Sequence, residues 1–248
     1  MTLLEDPRTA QLAHRLAAVQ RRIGAAAAGR PGPAPTLIVV SKFHPAADVL
    51  RLRSLGVADV GENRDQEAAA KAAEVADQAL RWHFIGQLQS NKAKSVAAYA
   101  HSVHSIDRAS LATALGRAME ARQQETGRAD LLCYIQVDLS SAVPGDAPAA
   151  APGGRGGVAP SGIARLADLV AGTAGLELAG LMAVAPLGAA PEPAFEMLAA
   201  QSAALALTHP GARAISAGMS HDLEAAIAAG ATHLRVGSDI LGPRPGVL

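Results

Sequence analysis

The sequence predicts a (β/α)8 TIM barrel, an α/β fold, with one extra helix at its N-terminus. Three observations predict it. Eight short apolar runs alternate with longer stretches of helical period, the pattern of a parallel sheet joined by crossover helices. Eight is the strand number at which such a sheet closes on itself. Glycines stand just past three of the helical stretches, at Gly56, Gly172 and Gly230, where left-handed caps are expected. A chain of 248 residues suits one barrel, so a single domain over 1–248 is expected. An open doubly wound sheet is the competing architecture. No G-x-G-x-x-G follows the first apolar run, which weakens its dinucleotide-binding version.

At the start of the chain Asp6 is placed to cap a helix and Pro7 suits its first position. Apolar residues recur through QLAHRLAAVQRRI before GRPGPAP breaks the pattern. The strand candidates are TLIVVS (36–41), ADVGE (58–62), WHFIG (82–86), VHSI (103–106), LLCYIQVDLS (131–140), LELAGLMAV (176–184), RAISAG (213–218) and HLRVG (233–237). Between them PAADVLRLRSLG, RDQEAAAKAAEVADQA, RASLATALGRAMEARQQ, IARLADLVAG, PAFEMLAAQSAALALTH and DLEAAIAAG read as helices. Residues 141–160, rich in Ala, Pro and Gly, read as a long flexible loop after the fifth strand.

Half of the residues are apolar, yet there are only one Trp, two Tyr and three Phe, so Leu, Ile, Val and Ala must build the core. Lys plus Arg and Asp plus Glu are equal at 22 each, which gives no global field for nucleic acid or an acidic membrane. The single cysteine, Cys133, lies in the run LLCYIQV and reads as a buried small hydrophobe. One cysteine forms no internal disulfide and no cysteine metal cluster. The N-terminus lacks a basic start followed by an apolar stretch, and no uncharged apolar run of about 18 residues exists to cross a bilayer. A cytoplasmic protein without a metal site is expected.

In a barrel, reactive groups come from the C-terminal ends of strands and the loops beyond them. That rule selects Lys42, Glu62, Asn63, His83, Ser105, Asp107, Asp138, Met182, Ser216, Arg235, Gly237 and Ser238. Lys42 directly follows LIVVS; it reads either as a surface lysine or as an imine-forming amine that a barrel mouth desolvates. RVGSDILG places Gly237 and Ser238 after strand eight, and ISAGMSHDLEAA places Ser216, Gly218 and Ser220 after strand seven. Loops after strands seven and eight are where barrels often hold phosphate; the competing reading is turn chemistry, with Ser220 as a helix cap. Arg235 shares the parity of Gly237 and so points into the barrel, where a buried cation needs a partner. That partner is either a ring nitrogen of a phosphate-bearing cofactor or a carboxylate such as Glu62 or Asp138.

These residues together resemble the pyridoxal phosphate homeostasis protein family. The resemblance runs through most of the chain: VVSKFHP at Lys42, GEN at 61–63, WHFIGQLQSNK at 82–92, VHSID at 103–107, GLMAV at 180–184, SAGMSHDLEAAI at 216–227 and VGSDILGPR at 236–244. It implies a barrel like the N-terminal domain of alanine racemase, with Lys42 holding pyridoxal 5′-phosphate as an imine. It further implies that Arg235 faces the pyridine nitrogen and that Ser216, Gly237 and Ser238 hold the phosphate. Asn63 would lie near the cofactor's polar edge, Met219 beside the phosphate loop, and His83 at the mouth as the candidate acid–base group. Three features depart from the commoner pattern: Arg64 after GEN, Ser238 in place of a threonine, and the long 141–160 segment.

An arginine is permanently charged and keeps the ring nitrogen unprotonated, which weakens the electron sink of the cofactor. Racemases with such an arginine add a second base from another domain, for which the chain after Ser238 leaves no room. Tyr99 and Tyr134 sit at no expected strand end. The resulting expectation is a carrier or buffer in intracellular vitamin B6 homeostasis, more monomer than dimer, which releases the cofactor to apo-enzymes. The alternative is an amino-acid racemase or lyase of weak activity. A lysine-dependent aldolase or sugar-phosphate isomerase and a ligand-free interaction module are further rivals.

Overall fold

A computed structural model describes residues 6–140 and 156–244. The chain opens with α1 (Pro7–Ala27), then runs β1 (Thr36–Val40), α2 (Ala46–Ser54), β2 (Asp59–Glu62), α3 (Asp65–Val75), β3 (Arg81–Phe84), α4 (Ala93–Tyr99) and β4 (Ser102–Ile106). It continues through α5 (Ala109–Thr126), β5 (Leu131–Gln136), α6 (Ile163–Ala171), β6 (Leu176–Met182), α7 (Glu192–Thr208), β7 (Ala214–Ser216), α8 (Leu223–Ala228), β8 (His233–Val236) and α9 (Ser238–Leu241). The eight strands pair in parallel in chain order, and β8 closes on β1 through Thr36 opposite His233 to Val39 opposite Val236. Every strand expected from the sequence is present, most of them shorter at the C-terminal end.

The extra helix forms for the reasons the sequence offers. The Asp6 side chain accepts from the Arg8 amide at 3.2 Å and Pro7 occupies the first turn. Leu12, Leu16, Val19 and Ile23, spaced at helical period, are buried against α2, α8 and α9. Arg22 on the same helix bridges Glu224 and Asp239, each at 2.8 Å. Gly56 and Gly230 adopt φ of +88° and +99° as left-handed caps require. Gly172 does not: α6 ends with φ of −86° there, and the left-handed turn falls at Gly175, just before β6.

Strand parity divides the barrel into two zones. Outward residues such as Val39, Val60, Trp82, Phe84, Val103, Ile135 and Leu234 join the helices in one apolar cluster. The interior is different: beside Ile38, Tyr134 and Met182 it holds the buried polar side chains of Asp59, His83, Ser102, His104, Ser216 and Arg235. Barrel interiors are usually layers of branched apolar residues, so this column of polar groups has to be satisfied internally.

Gly180 in β6 shows how tightly the wall closes. Its φ is +154°, and a Cβ there would stand 1.9 Å from the Ala214 carbonyl oxygen of β7. The position sits beside a register shift in the β5–β6 ladder. Gly180→Ala is expected to cost about 3 kcal/mol or more, because both backbone strain and a backbone clash oppose it. Urea unfolding checks this; an unchanged midpoint would mean that β6 and β7 are not packed this closely.

Part of the segment read as a loop lies outside the described residues, which resume at Gly156. There the Gly156 carbonyl accepts from Gln136 Nε2 at 3.1 Å, and Val158 forms a parallel bridge to Val137. The 156–160 end of the expected flexible loop is therefore fastened to the end of β5.

Candidate functional site

Lys42 leaves the end of β1 as expected, and the turn that projects it is held from below. Phe43 has a left-handed φ of +69°, unusual for a bulky residue, and its N–H donates to Glu67 Oε1 at 2.5 Å. Lys71, also on α3, donates to the Ser41 carbonyl at 2.8 Å, to Glu62 Oε1 at 2.7 Å and to Glu67 Oε1 at 2.6 Å. Glu62 takes a further hydrogen bond from the Ser41 hydroxyl at 2.7 Å. This buried set fixes the carbonyl before Lys42 and the amide after it. Burial holds the Lys42 amine below the ordinary lysine range; the Arg244 charge lowers it further and Glu62 opposes both.

Lys42 opens onto a cavity of about 420 Å³ at the C-terminal ends of the strands, within the size range of small-ligand sites. Asn63, Met219, Ser220, Arg235, Gly237, Ser238 and Arg244 also line it. Among the described residues no carboxylate lines it, whereas Lys42, Arg235 and Arg244 do, so the cavity favours an anion. Ser220 Oγ and Ser238 Oγ lie 3.2 Å apart, which joins the loops after β7 and β8. Asn63 Oδ1 is buried with no hydrogen-bond partner, a donor-seeking atom on the wall. At the rim the Arg244 and Arg64 guanidinium carbons stand 4.1 and 5.3 Å from the centre of the Phe43 ring, a cation–π arrangement.

Arg235 lies in the barrel as its parity predicted and is 4 % exposed. Nη1 donates to Ser216 Oγ at 2.6 Å and Nη2 to the Ala183 carbonyl at 2.8 Å. Among the described residues no carboxylate forms an ion pair with it: Glu62 is engaged by Lys71 and Asp138 accepts from the Ser140 amide. Burial pulls its pKa down to about 10, with the Asp222 charge opposing.

Two expected positions need correction. His83 does not stand at the mouth. Its strand ends at Phe84, and its ring turns into the barrel, 2.8 Å from Asp59 Oδ1 at the start of β2. Ser216 does not face the cavity either; its fully buried hydroxyl is taken by Arg235 and His104. The cavity hydroxyl of that loop is Ser220, which the sequence offered as a helix cap. Asp222, three residues after Met219 and holding its amide at 2.6 Å, stands at the start of α8 and leaves Ser220 free for Ser238. Gly237 lines the cavity, but a Cβ on it would meet the Val40 carbonyl at 3.1 Å, so closeness of β8 to β1 also calls for glycine. Of the other strand-end candidates, Ser105 and Met182 are buried outside the cavity lining and Asp107 pairs with Arg108 at 2.6 Å. Tyr134 stacks on His104 in the interior with ring centres 4.1 Å apart, and Tyr99 Oη bonds Asp65, so neither tyrosine lines the cavity.

An amine at the end of the first strand, a hydroxyl pair after strands seven and eight, and an arginine inside the last strand define a barrel of the alanine racemase N-terminal-domain class. Residues 9–245 match that family, alanine racemase, N-terminal domain. Alanine racemase from Corynebacterium glutamicum shares the fold, with a TM-score of 0.65 at 14% identity over 96% of this chain and 62% of that one. The chain is 40% identical to the pyridoxal phosphate homeostasis protein of Mycobacterium leprae (strain TN), over 97% of this chain and 95% of that one. It is 36% identical to that of Escherichia coli (strain K12), over 94% and 97%. The structure of PipY of Synechococcus elongatus PCC7942 with PLP bound superposes with a TM-score of 0.76 at 33% identity, over 93% of this chain and all of that one. The chain belongs to the pyridoxal phosphate homeostasis protein family.

Proposed function

We propose that this chain holds pyridoxal 5′-phosphate at Lys42 and acts in the cytoplasm as a carrier or buffer of the cofactor, one barrel per functional unit, passing it to apo-enzymes. The observation that carries the reading is the make-up of one cavity. A half-desolvated amine, the Ser220–Ser238 hydroxyl pair and a buried guanidinium surround it with no carboxylate on the wall. Lys42 would hold the cofactor's aldehyde carbon. Ser220, Gly237 and Ser238 would hold its phosphate, Arg235 would face its ring nitrogen, and Asn63 and Met219 would border its edge. The bound cofactor supplies an aldehyde that condenses reversibly with amines.

The carrier reading draws further support from Arg235, which offers the ring nitrogen a permanent cation instead of a carboxylate. His83, Tyr99 and Tyr134 are held away from the cavity, while His44 and His221 stand on its wall. Among the described residues no helix is long and apolar enough to cross a membrane. The relatives named above carry homeostasis in their names, and PipY was solved with the cofactor.

Borohydride treatment of protein loaded with pyridoxal phosphate, followed by peptide mass mapping, tests the assignment. The expected result is a stable adduct on Lys42 and on no other lysine. An adduct elsewhere, or none, would overturn it. Steady racemisation or cleavage of amino acids by the loaded protein would replace the carrier with an enzyme.

A further inference from the structure

The polar column inside the barrel has a direction. Asp59, at the start of β2, is clamped by Arg81 through Nε at 2.7 Å and Nη2 at 2.6 Å, and accepts from His83 Nε2 at 2.8 Å. His83 Nδ1 lies 2.7 Å from Ser102 Oγ, which lies 2.8 Å from His104 Nε2. His104 Nδ1 lies 2.8 Å from Ser216 Oγ, which accepts from Arg235 Nη1 at 2.6 Å. Every link is within ordinary hydrogen-bond length. Asp59, His83, Ser102, His104, Ser216 and Arg235 are all buried.

With neutral rings the Asp59 end imposes one proton order. An ionised carboxylate can only accept, so His83 is the Nε2–H tautomer and its Nδ1 accepts from Ser102. Ser102 then accepts from His104, also the Nε2–H tautomer, whose Nδ1 accepts from Ser216. Ser216 in turn accepts from Arg235, which can only donate; the two lone pairs of that hydroxyl would fit either order, so the direction is set at Asp59. Burial above all, with the Arg235 charge adding to it, holds His104 well below the usual histidine range, in keeping with a neutral ring. Burial alone would raise the Asp59 carboxyl, but His83 and Arg81 hold it well below the usual carboxylate range.

We infer that His83, Ser102, His104 and Ser216 form a single directed hydrogen-bond chain from Asp59, at the base of the barrel, to Arg235, and that this chain fixes the guanidinium at the cavity. Asp59 is itself paired with Arg81, and the carboxylate charge that acts on Arg235 is that of Asp222, so Asp59 reaches the guanidinium through the hydrogen bonds of this chain and not as its ion pair. Asp59 and His104 are thus positioning residues for the cavity and touch nothing bound in it. That part of the inference rests on the cofactor reading; the proton order does not.

The order is read by 15N spectra of the imidazoles in cofactor-free protein. Both His83 and His104 are expected as neutral Nε2–H tautomers. In Asp59→Asn the new amide can donate as well as accept, so the direction is no longer imposed and His104 should show both tautomers. Ser102→Ala is expected to keep the order, because His104 Nε2 and His83 Nδ1 are already 3.2 Å apart and can bond directly in the same sense. Loaded protein should release pyridoxal phosphate about 3- to 10-fold faster in Asp59→Asn and close to the wild-type rate in Ser102→Ala, a difference of about 0.7 to 1.4 kcal/mol in the former. An imidazolium or an Nδ1–H tautomer at either histidine overturns the chain, as does an unchanged His104 signal in folded Asp59→Asn. Failure of the cofactor reading would appear instead as no loading, with the histidine spectra intact.

Discussion

Lys42→Ala is expected to leave a folded barrel whose retention of pyridoxal phosphate falls by at least about 100-fold, or about 2.7 kcal/mol. The side chain is only half-buried and makes no hydrogen bond that the fold needs; the turn around it is held by Glu62, Glu67 and Lys71 through Ser41 and Phe43. What disappears is the covalent link, while the Ser220–Ser238 pair and Arg235 remain to bind the cofactor weakly. Equilibrium dialysis and borohydride trapping separate the two contributions. Ser238→Ala should retain the adduct but lose about tenfold in affinity, the scale of one hydrogen bond to a charged group. The rate of adduct formation should rise with pH through a midpoint below that of an ordinary lysine, since only the neutral amine attacks and burial holds Lys42 low. Arg244→Gln removes the second cause and should move that midpoint upward. Covalent trapping that survives in Lys42→Ala would assign the chemistry to another amine.

The scaffold was legible because its signals are local. Each strand is a short run of Val, Ile, Leu or aromatic residues bounded by polar ones, and the capping of α1 by Asp6 and Pro7 needs only neighbouring residues. Lys42 and Arg235 were legible for a related reason: strand order and parity place the first at an end and the second inside. The site was less legible wherever a one-residue error in strand end changes the answer. WHFIG ends two residues later in sequence terms than β3 does in space, and that difference moves His83 from the mouth to a contact with Asp59. The choice between Ser216 and Ser220 meets the same difficulty, since both belong to SAGMS and only the fold tells which hydroxyl meets Ser238. Asp59 and His104 carried no sequence signal, because His83 and Ser216 lie 24 and 112 residues away; Lys71 has a local partner in Glu67, but its bond to the Ser41 carbonyl spans 30 residues. The spacing of polar residues at alternate positions of one strand, Ser102 with His104, is the trace from which a polar interior could have been suspected.

Lys71→Met is expected to destabilise the protein by about 3–5 kcal/mol at pH 8, the cost of stranding a buried carboxylate. Glu62 is 1 % exposed, its Oε2 has no hydrogen-bond partner, and Lys71 at 2.7 Å is its only ion-pair partner among the described residues. Burial already raises the Glu62 carboxyl above its ordinary value, with Lys71 opposing; removing Lys71 raises it further. A carboxyl whose folded pKa lies above its unfolded one gives its full contribution below the unfolded value, and stability is lost as pH rises through the folded value. The deficit of Lys71→Met should therefore shrink from pH 8 toward pH 5, as Glu62 takes up a proton and stops being a buried charge. Lys71→Met combined with Glu62→Gln should recover most of the stability at pH 8, because no charge is left to strand, while the single Glu62→Gln change leaves Lys71 its bond to Glu67 at 2.6 Å. Urea unfolding at the two pH values measures both effects. A deficit equal at pH 5 and pH 8 would mean that Lys71 matters through its packing and its bond to the Ser41 carbonyl instead of through its charge. The recovered double variant should still trap pyridoxal phosphate more slowly than wild type, since the carbonyl before Lys42 has lost the ammonium that fixed it.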